Sequence, residues 1–186
     1  MKLLVLLLAL PIICFGQNVN IPDANFKAYL VNNKAINTNG DKEIQVSEAS
    51  AFTDTIDCSG LNISNLNGIE AFTALTTLYC GSNNYGSNQL TSLDVSKNNA
   101  LSELYCGGNK LTSLDVSKNT VLWMLTCDNN QLKSLDVSKN TALEWLYCDG
   151  NKLTSLDVSK NTALTALYCN ENHFDCASLK RKYGLE

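Results

Sequence analysis

The sequence contains a single histidine, His173, close to its C-terminal end. A serine or cysteine nucleophile in the body of the chain therefore has no histidine base beside it, which argues against histidine-dependent hydrolysis. There is no C-x-x-C pair and no histidine cluster, so the usual structural zinc sites are excluded as well. Positive charge is scarce. Fourteen Lys and Arg face eighteen Asp and Glu for a net charge of -4, and the only contiguous basic cluster is Lys180-Arg181-Lys182. A nucleic-acid partner or an anionic membrane surface would call for a basic stripe, and none is present. Beyond residue 13 no apolar run is long enough to span a bilayer, so a membrane-spanning chain is not expected. At 186 residues the chain has the length of one domain with a real core.

The first residues read differently from the rest. Lys2 precedes an apolar run over 3–13, and Cys14-Phe15-Gly16-Gln17 follows before polarity rises. This pattern predicts a signal peptide over 1–16, cleaved before Gln17, and a secreted or cell-surface mature chain. Cleavage before Cys14, as in a lipoprotein, would need a small residue where Ile13 stands.

What the chain has in abundance is self-similarity. The segment starting at Leu101, LSELYCGGNKLTSLDVSKNT, returns in near copies starting at Leu122, Leu143 and Leu164, a period of 21 residues. An earlier copy starts at Leu75 with about five extra residues around 84–88, and a worn one holds Ile56-Asp57-Cys58. Leu104 and Cys106 alternate with Glu103 and Tyr105, so the first pair points inward and the second outward from a short strand. Stacked copies would form a parallel sheet, with Asn109, Asn130, Asn151 and Asn172 laddered where the chain leaves the strand. The second half of each copy, with Leu114 and Val116 inward and Asn119 at its end, echoes the first and predicts a second β face. A 21-residue coil leaves little length for a helical return.

The pattern L-x-x-L-x-C-x-x-N-x-L over 56–174 resembles the leucine-rich repeats of bacterial surface and secreted proteins, the internalin-like adhesins among them. The resemblance implies a mainly β solenoid that binds proteins and does not catalyse a reaction. The expected organisation is a helical N-terminal cap over 17–52, the solenoid over 53–174 and a C-terminal cap over 175–186. Asp23 heads one helical pattern, a second short helix is expected over 47–52, and a closing turn over 176–183.

Within the N-terminal cap, residues 37–48 resemble the twelve-residue calcium loop of EF-hands. Oxygen-bearing side chains stand at loop positions one, three, five and nine, Ile44 at eight and Glu48 at twelve. The resemblance implies Asn37, Asn39, Asp41, Glu43 and Glu48 as the calcium-facing set. Asn37 in place of the usual Asp, and Lys42 in place of the turn glycine, lower the affinity expected to weak or none, and no other cofactor is indicated.

Six cysteines, Cys58, Cys80, Cys106, Cys127, Cys148 and Cys169, recur at the same inward position. Neighbouring strands ~4.8 Å apart with parallel side chains hold Cβ atoms too far apart for disulfides, so buried free thiols are expected, while Cys169 and Cys176 can close a small loop. An outward column of Asp94, Asp115, Asp136 and Asp157 is followed three residues later by Lys97, Lys118, Lys139 and Lys160, which reads as mutual neutralisation on a uniform face. Asp128 and Asp149 stand one rung apart, but an open sheet offers no pocket around a scissile bond. The other face varies. Tyr79, Tyr105, Tyr147 and Tyr168 form a column interrupted by Thr126, with Met124 and Trp145 on one side and Asp128, Asp149 and Asn170 on the other. Outward tyrosines can serve lateral packing or recognition. This set forms the candidate binding site for a protein partner, with a glycan as the alternative and a structural spacer or fragment of a larger surface protein as the rival reading.

Overall fold

The computed structural model describes residues 16–185. Apart from Gly16, the segment read as a signal peptide lies outside the described residues. Six strands of three residues, β1 (Thr55–Asp57), β2 (Thr77–Tyr79), β3 (Glu103–Tyr105), β4 (Met124–Thr126), β5 (Trp145–Tyr147) and β6 (Ala166–Tyr168), form one parallel sheet in sequence order. The register is the repeat itself: Leu104 pairs with Leu125, Leu125 with Leu146 and Leu146 with Leu167. These central residues and the cysteines two positions later are buried in one continuous core with Leu111, Val116 and Leu122 and their equivalents. No coil can bury its own inward side chains, so each depends on its neighbours.

The strands are short because an asparagine ends each one. The Asn130 amide donates to the carbonyls of Cys106 (3.1 Å) and Cys127 (3.2 Å), and its Oδ1 accepts from Leu111 N (2.9 Å). Asn109, Asn151 and Asn172 repeat the pattern. Asn88 is the first full rung, donating to Cys58 O and Cys80 O. The extra residues thus form the excursion ahead of Asn88, and Asn88 itself is a ladder member. The residue before each later rung takes a left-handed backbone, at Gly108, Asn129, Gly150 and Glu171.

The expected second β face is not a sheet. Among the described residues it holds one parallel bridge, between Asp94 and Asp115, and coils join at its start through backbone hydrogen bonds such as Gln131 N to Leu111 O (2.8 Å). The return consists of turns: Asn119 N donates to Val116 O (3.0 Å) and Leu122 N to Asn119 O (3.1 Å), and the other coils repeat this. These turns consume the backbone donors that a strand would offer its neighbour. A second asparagine ladder takes over the carbonyls, with the Asn140 amide donating to Val116 O (3.0 Å) and Asn119 O (2.9 Å).

The ends are capped. Helix α1 (Ala24–Asn32) begins at Asp23, whose Oδ1 accepts from Asn25 N and Phe26 N. Its Oδ2 accepts from Ser64 N and Oγ, both at 2.9 Å, and so ties the cap to the first coil. Helix α2 (Val46–Ala51) follows the loop of 37–48. Helix α3 (Cys176–Tyr183) is capped by Asp175 and joined to the last rung by a disulfide between Cys169 and Cys176. Among the described residues no helix is long and apolar enough to cross a membrane.

Candidate binding face on the strand side

Three outward columns run across the sheet. The first carries Glu103, Met124 and Trp145, the second Tyr79, Tyr105, Thr126, Tyr147 and Tyr168, and the third Gly81, Gly107, Asp128 and Asp149. Strand spacing sets ring spacing in the second column. Tyr79 and Tyr105 stack with centroids 4.2 Å apart, and Tyr147 and Tyr168 stack at 4.4 Å with rings within 4° of parallel. Thr126 is in register with Tyr105 on one side and Tyr147 on the other, so the column is two stacks separated by one rung. The Trp145 ring lies 6.4 Å from that of Tyr147. Trp145 is 40% exposed and Tyr168 45%, whereas Tyr79, Tyr105 and Tyr147 are half-buried.

The acidic groups bind into this surface. The Tyr105 hydroxyl donates to Glu103 Oε2 (3.1 Å). Burial first, then the neighbouring Tyr79 and Glu103, push the Tyr105 phenol well above its ordinary range. Burial also raises the Asp149 carboxyl, against the opposing pull of the hydrogen bond that Asn170 N donates to it (2.8 Å). Asp128 accepts from the Asn129 amide (2.7 Å) and leans over Gly107, where an added methyl would meet its carboxylate. A hollow of about 160 Å³ results, floored by Gly81 and Gly107, walled by Tyr79 and Tyr105 and ending at Thr126 and Asp128. Sequence reading placed Glu103 outward but left it out of the candidate site, and it passed over Gly81 and Gly107. The available signal was glycine at two successive outward positions where the next two coils carry aspartate.

In the loop of 37–48, Asn37, Asn39, Asp41 and Glu48 come together in one hydrogen-bonded knot. Asn37 is buried, donating to Val31 O and Asp41 O (both 2.8 Å) and accepting from Gly40 N (3.0 Å). Glu48 Oε1 accepts from Thr38 N, Thr38 Oγ1 and Asn39 N, and its Oε2 from Gln45 N. Burial pushes the Glu48 carboxyl up, but these bonds outweigh it and hold it below its ordinary range. Glu43 stands apart, its carboxylate turned onto Lys27 Nζ at 2.7 Å.

The opposite side is built differently from the neutralisation that its Asp and Lys columns suggest. Asp94, Asp115, Asp136 and Asp157 each accept a hydrogen bond from the backbone N–H of the serine two residues on, at 2.8–2.9 Å. They close turns. Hydrogen bonds from these serines are the main cause holding the carboxyls below their ordinary range, with the lysines contributing less to Asp94, Asp115 and Asp136. Among the described residues none of these lysines lies within ion-pair distance of an aspartate.

No family model and no curated protein matches the chain. Solved structures do. The functional domain of InlJ from Listeria monocytogenes, described as including a cysteine ladder, is 32% identical over 84% of this chain and 43% of that one, with a TM-score of 0.57. The internalin InlF from the same species is similar at 22% identity, over 89% of this chain and 48% of that one, with a TM-score of 0.72. A leucine-rich-repeat protein of Leptospira interrogans is 25% identical over 66% of this chain and 32% of that one, with a TM-score of 0.56. The chain spans under half the length of each. Its fold is that of these proteins, a mainly β leucine-rich-repeat solenoid with one parallel sheet and short helical caps.

Proposed function

We propose that the chain is an exported leucine-rich-repeat module that binds a protein partner through the strand-side face, with Met124, Thr126, Asp128, Trp145, Tyr147 and Asp149 at its centre. Solenoids of this type serve as interaction modules because stacking repeats present one extended surface. The observation that carries the reading is the contrast between the two sides. The strand side changes from rung to rung and exposes Trp145 and Tyr168, while the other side repeats one aspartate-closed turn. Rigid aromatic side chains supply contact area at low entropic cost. Export is supported by the apolar N-terminal segment and by the Cys169–Cys176 disulfide, which belongs in an oxidising compartment.

The test uses residues 17–186 as immobilised bait and compares Trp145→Ala and Tyr147→Ala with Asp115→Asn and Asp136→Asn, all checked for parental melting. Asparagine is chosen because it keeps the turn that the aspartate closes. The aromatic variants should weaken capture by about tenfold or more and the asparagine variants by little. Equal losses on both sides would reject this face. A glycan-array hit lost in Trp145→Ala would move the partner class to carbohydrate.

A further inference from the structure

The interruption of the tyrosine column is a structural feature in its own right. Thr126 leaves a gap of one rung between the Tyr79–Tyr105 stack and the Tyr147–Tyr168 stack. Two strand spacings separate the flanking rings by about 9.6 Å, and one flat group stacked between them makes a van der Waals contact of ~3.5–4 Å on each side, about 7–8 Å in all, so the gap admits one flat group and no more. Tyr105 and Thr126, which bound this gap, also line the hollow that runs over the glycine floor to Asp128.

The charge around the gap has one sign. The three outward columns comprise the first, third and fifth residues of the segments 55–59, 77–81, 103–107, 124–128, 145–149 and 166–170. They include Asp57, Glu103, Asp128 and Asp149, and no lysine, arginine or histidine. The lysines lie in the helical caps, in the turns and on the opposite side. Such a surface selects a cation, and the shape of the gap selects a flat one.

We propose that this gap receives an arginine side chain from a basic segment of the partner, the guanidinium lying flat on Tyr105 with its N–H groups turned toward Asp128. The proposal rests on the strand face being the binding face. Guanidinium is the one side-chain cation that is planar, stacks on aromatic faces and donates in a fork to a carboxylate. Lysine would satisfy the charge but not the shape. A neutral aromatic ring would satisfy the shape and leave the carboxylates unused, and a sugar would bond them through its hydroxyls without neutralising their charge.

The probe is a fluorescein-labelled hexa-arginine peptide titrated with residues 17–186, with hexalysine alongside. Hexa-arginine should bind more tightly than hexalysine by about threefold or more, and more weakly as salt rises. Thr126→Tyr completes the column with the residue that four other rungs carry there, and should weaken hexa-arginine binding by about tenfold at an unchanged melting temperature. Should that variant misfold, Asp128→Asn provides the same test with an expected loss of about fivefold. Asp115→Asn and Asp136→Asn should bind like the parent. Equal affinity for the two peptides, or binding indifferent to both Thr126→Tyr and Asp128→Asn, would reduce the attraction to diffuse charge and overturn the proposal. So would self-association abolished by both Thr126→Tyr and Arg181→Ala, which would make a second copy the occupant. A captured protein that is lost in Trp145→Ala but retained in Thr126→Tyr and Asp128→Asn would overturn the slot alone and leave the face assignment standing.

Discussion

Cys169 is the last rung of the cysteine ladder and the one whose sulfur is bonded, to Cys176 at the start of α3, with Cα atoms 5.6 Å apart. The five rungs before it, Cys58 to Cys148, are buried free thiols. Burial raises every one of them, with Cys58, Cys106 and Cys148 pushed up to about 12, so no thiolate is available at neutral pH. Residues 17–186 are therefore expected to show almost no reactive thiol when folded, five in denaturant and seven after reduction. Three disulfides among the ladder cysteines would contradict this arrangement. Cys176→Ser opens a loop with a sequence separation of 7 and should cost about 2–3 kcal/mol by chain entropy, read from urea melts under oxidising conditions.

Asn130 joins backbone groups from two coils: its Oδ1 accepts from Leu111 N, while Cys106 O and Cys127 O, to which its amide donates, each also accept from a neighbouring rung, Asn109 (3.0 Å) and Asn151 (3.0 Å) respectively. Asn130→Ala strands Leu111 N in the interior at a cost of ~1–3 kcal/mol and leaves the carbonyls of Cys106 and Cys127 with one ladder amide each in place of two. A loss of about 2 kcal/mol is expected in urea unfolding. Asn172→Ala should cost less, because its rung is only part-buried at the open end of the ladder.

These asparagines show why the fold could be read from the sequence. A fixed period of 21 with Leu104, Cys106 and Asn109 at constant offsets admits one stacking, and the structure has it. The return half misled because Leu114 and Val116 alternate like a strand, while the Asp115–Ser117 pair whose hydrogen bond makes the return a turn recurs with the same period and fits an outward polar column equally well. The tyrosine column, too, was legible, but its division into two stacks and the glycine floor were not. Ring pairing depends on register in space, and a glycine shows its meaning only when Asp128 is seen leaning over Gly107.

Acid should loosen the cap and the turns together. In Asp23, burial pushes the carboxyl up but hydrogen bonds from Ser64, Phe26 and Asn25 outweigh it, so its folded pKa lies below the ordinary value, as do those of Glu48 and of Asp94, Asp115, Asp136 and Asp157. For a depressed carboxyl the unfolded chain protonates first, so the stabilisation is present above about pH 4 and lost as pH falls toward the folded pKa values. Asp149 has the opposite sign, since burial raises it and its ionised form opposes folding at neutral pH. Thermal melts should be level from about pH 7 to 5 and fall below ~4, and Asp149→Asn should melt at or above the parent at neutral pH. A melting temperature that rises on acidification below pH 4 would reverse the sign argued here.

The loop of 37–48 already uses the oxygens that an ion would need. Glu48 accepts four donors at 2.8–3.1 Å, and a bidentate calcium ligand would have to give up most of them. Asn39 Oδ1 accepts from Asp41 N (2.8 Å), and Asp41 accepts from Glu43 N (2.7 Å) and the Gln45 amide (3.0 Å). Lys42 adds a positive charge at the position where the calcium loop turns on glycine, and Glu43 is held by Lys27. Calorimetric titration of residues 17–186 with calcium is therefore expected to give an affinity no tighter than ~10⁻³ M. Lys42→Gly removes the charge and supplies the turn, and should strengthen binding by about tenfold or more. Glu48→Ala should lower stability by about 1 kcal/mol without calcium, because the residue caps α2 through Gln45 N and closes the loop through Thr38 and Asn39. Micromolar affinity in the parent, abolished in Glu48→Ala, would mean that the carboxylate leaves its four donors for the ion and that the hydrogen-bonded knot is only the calcium-free form of a working site.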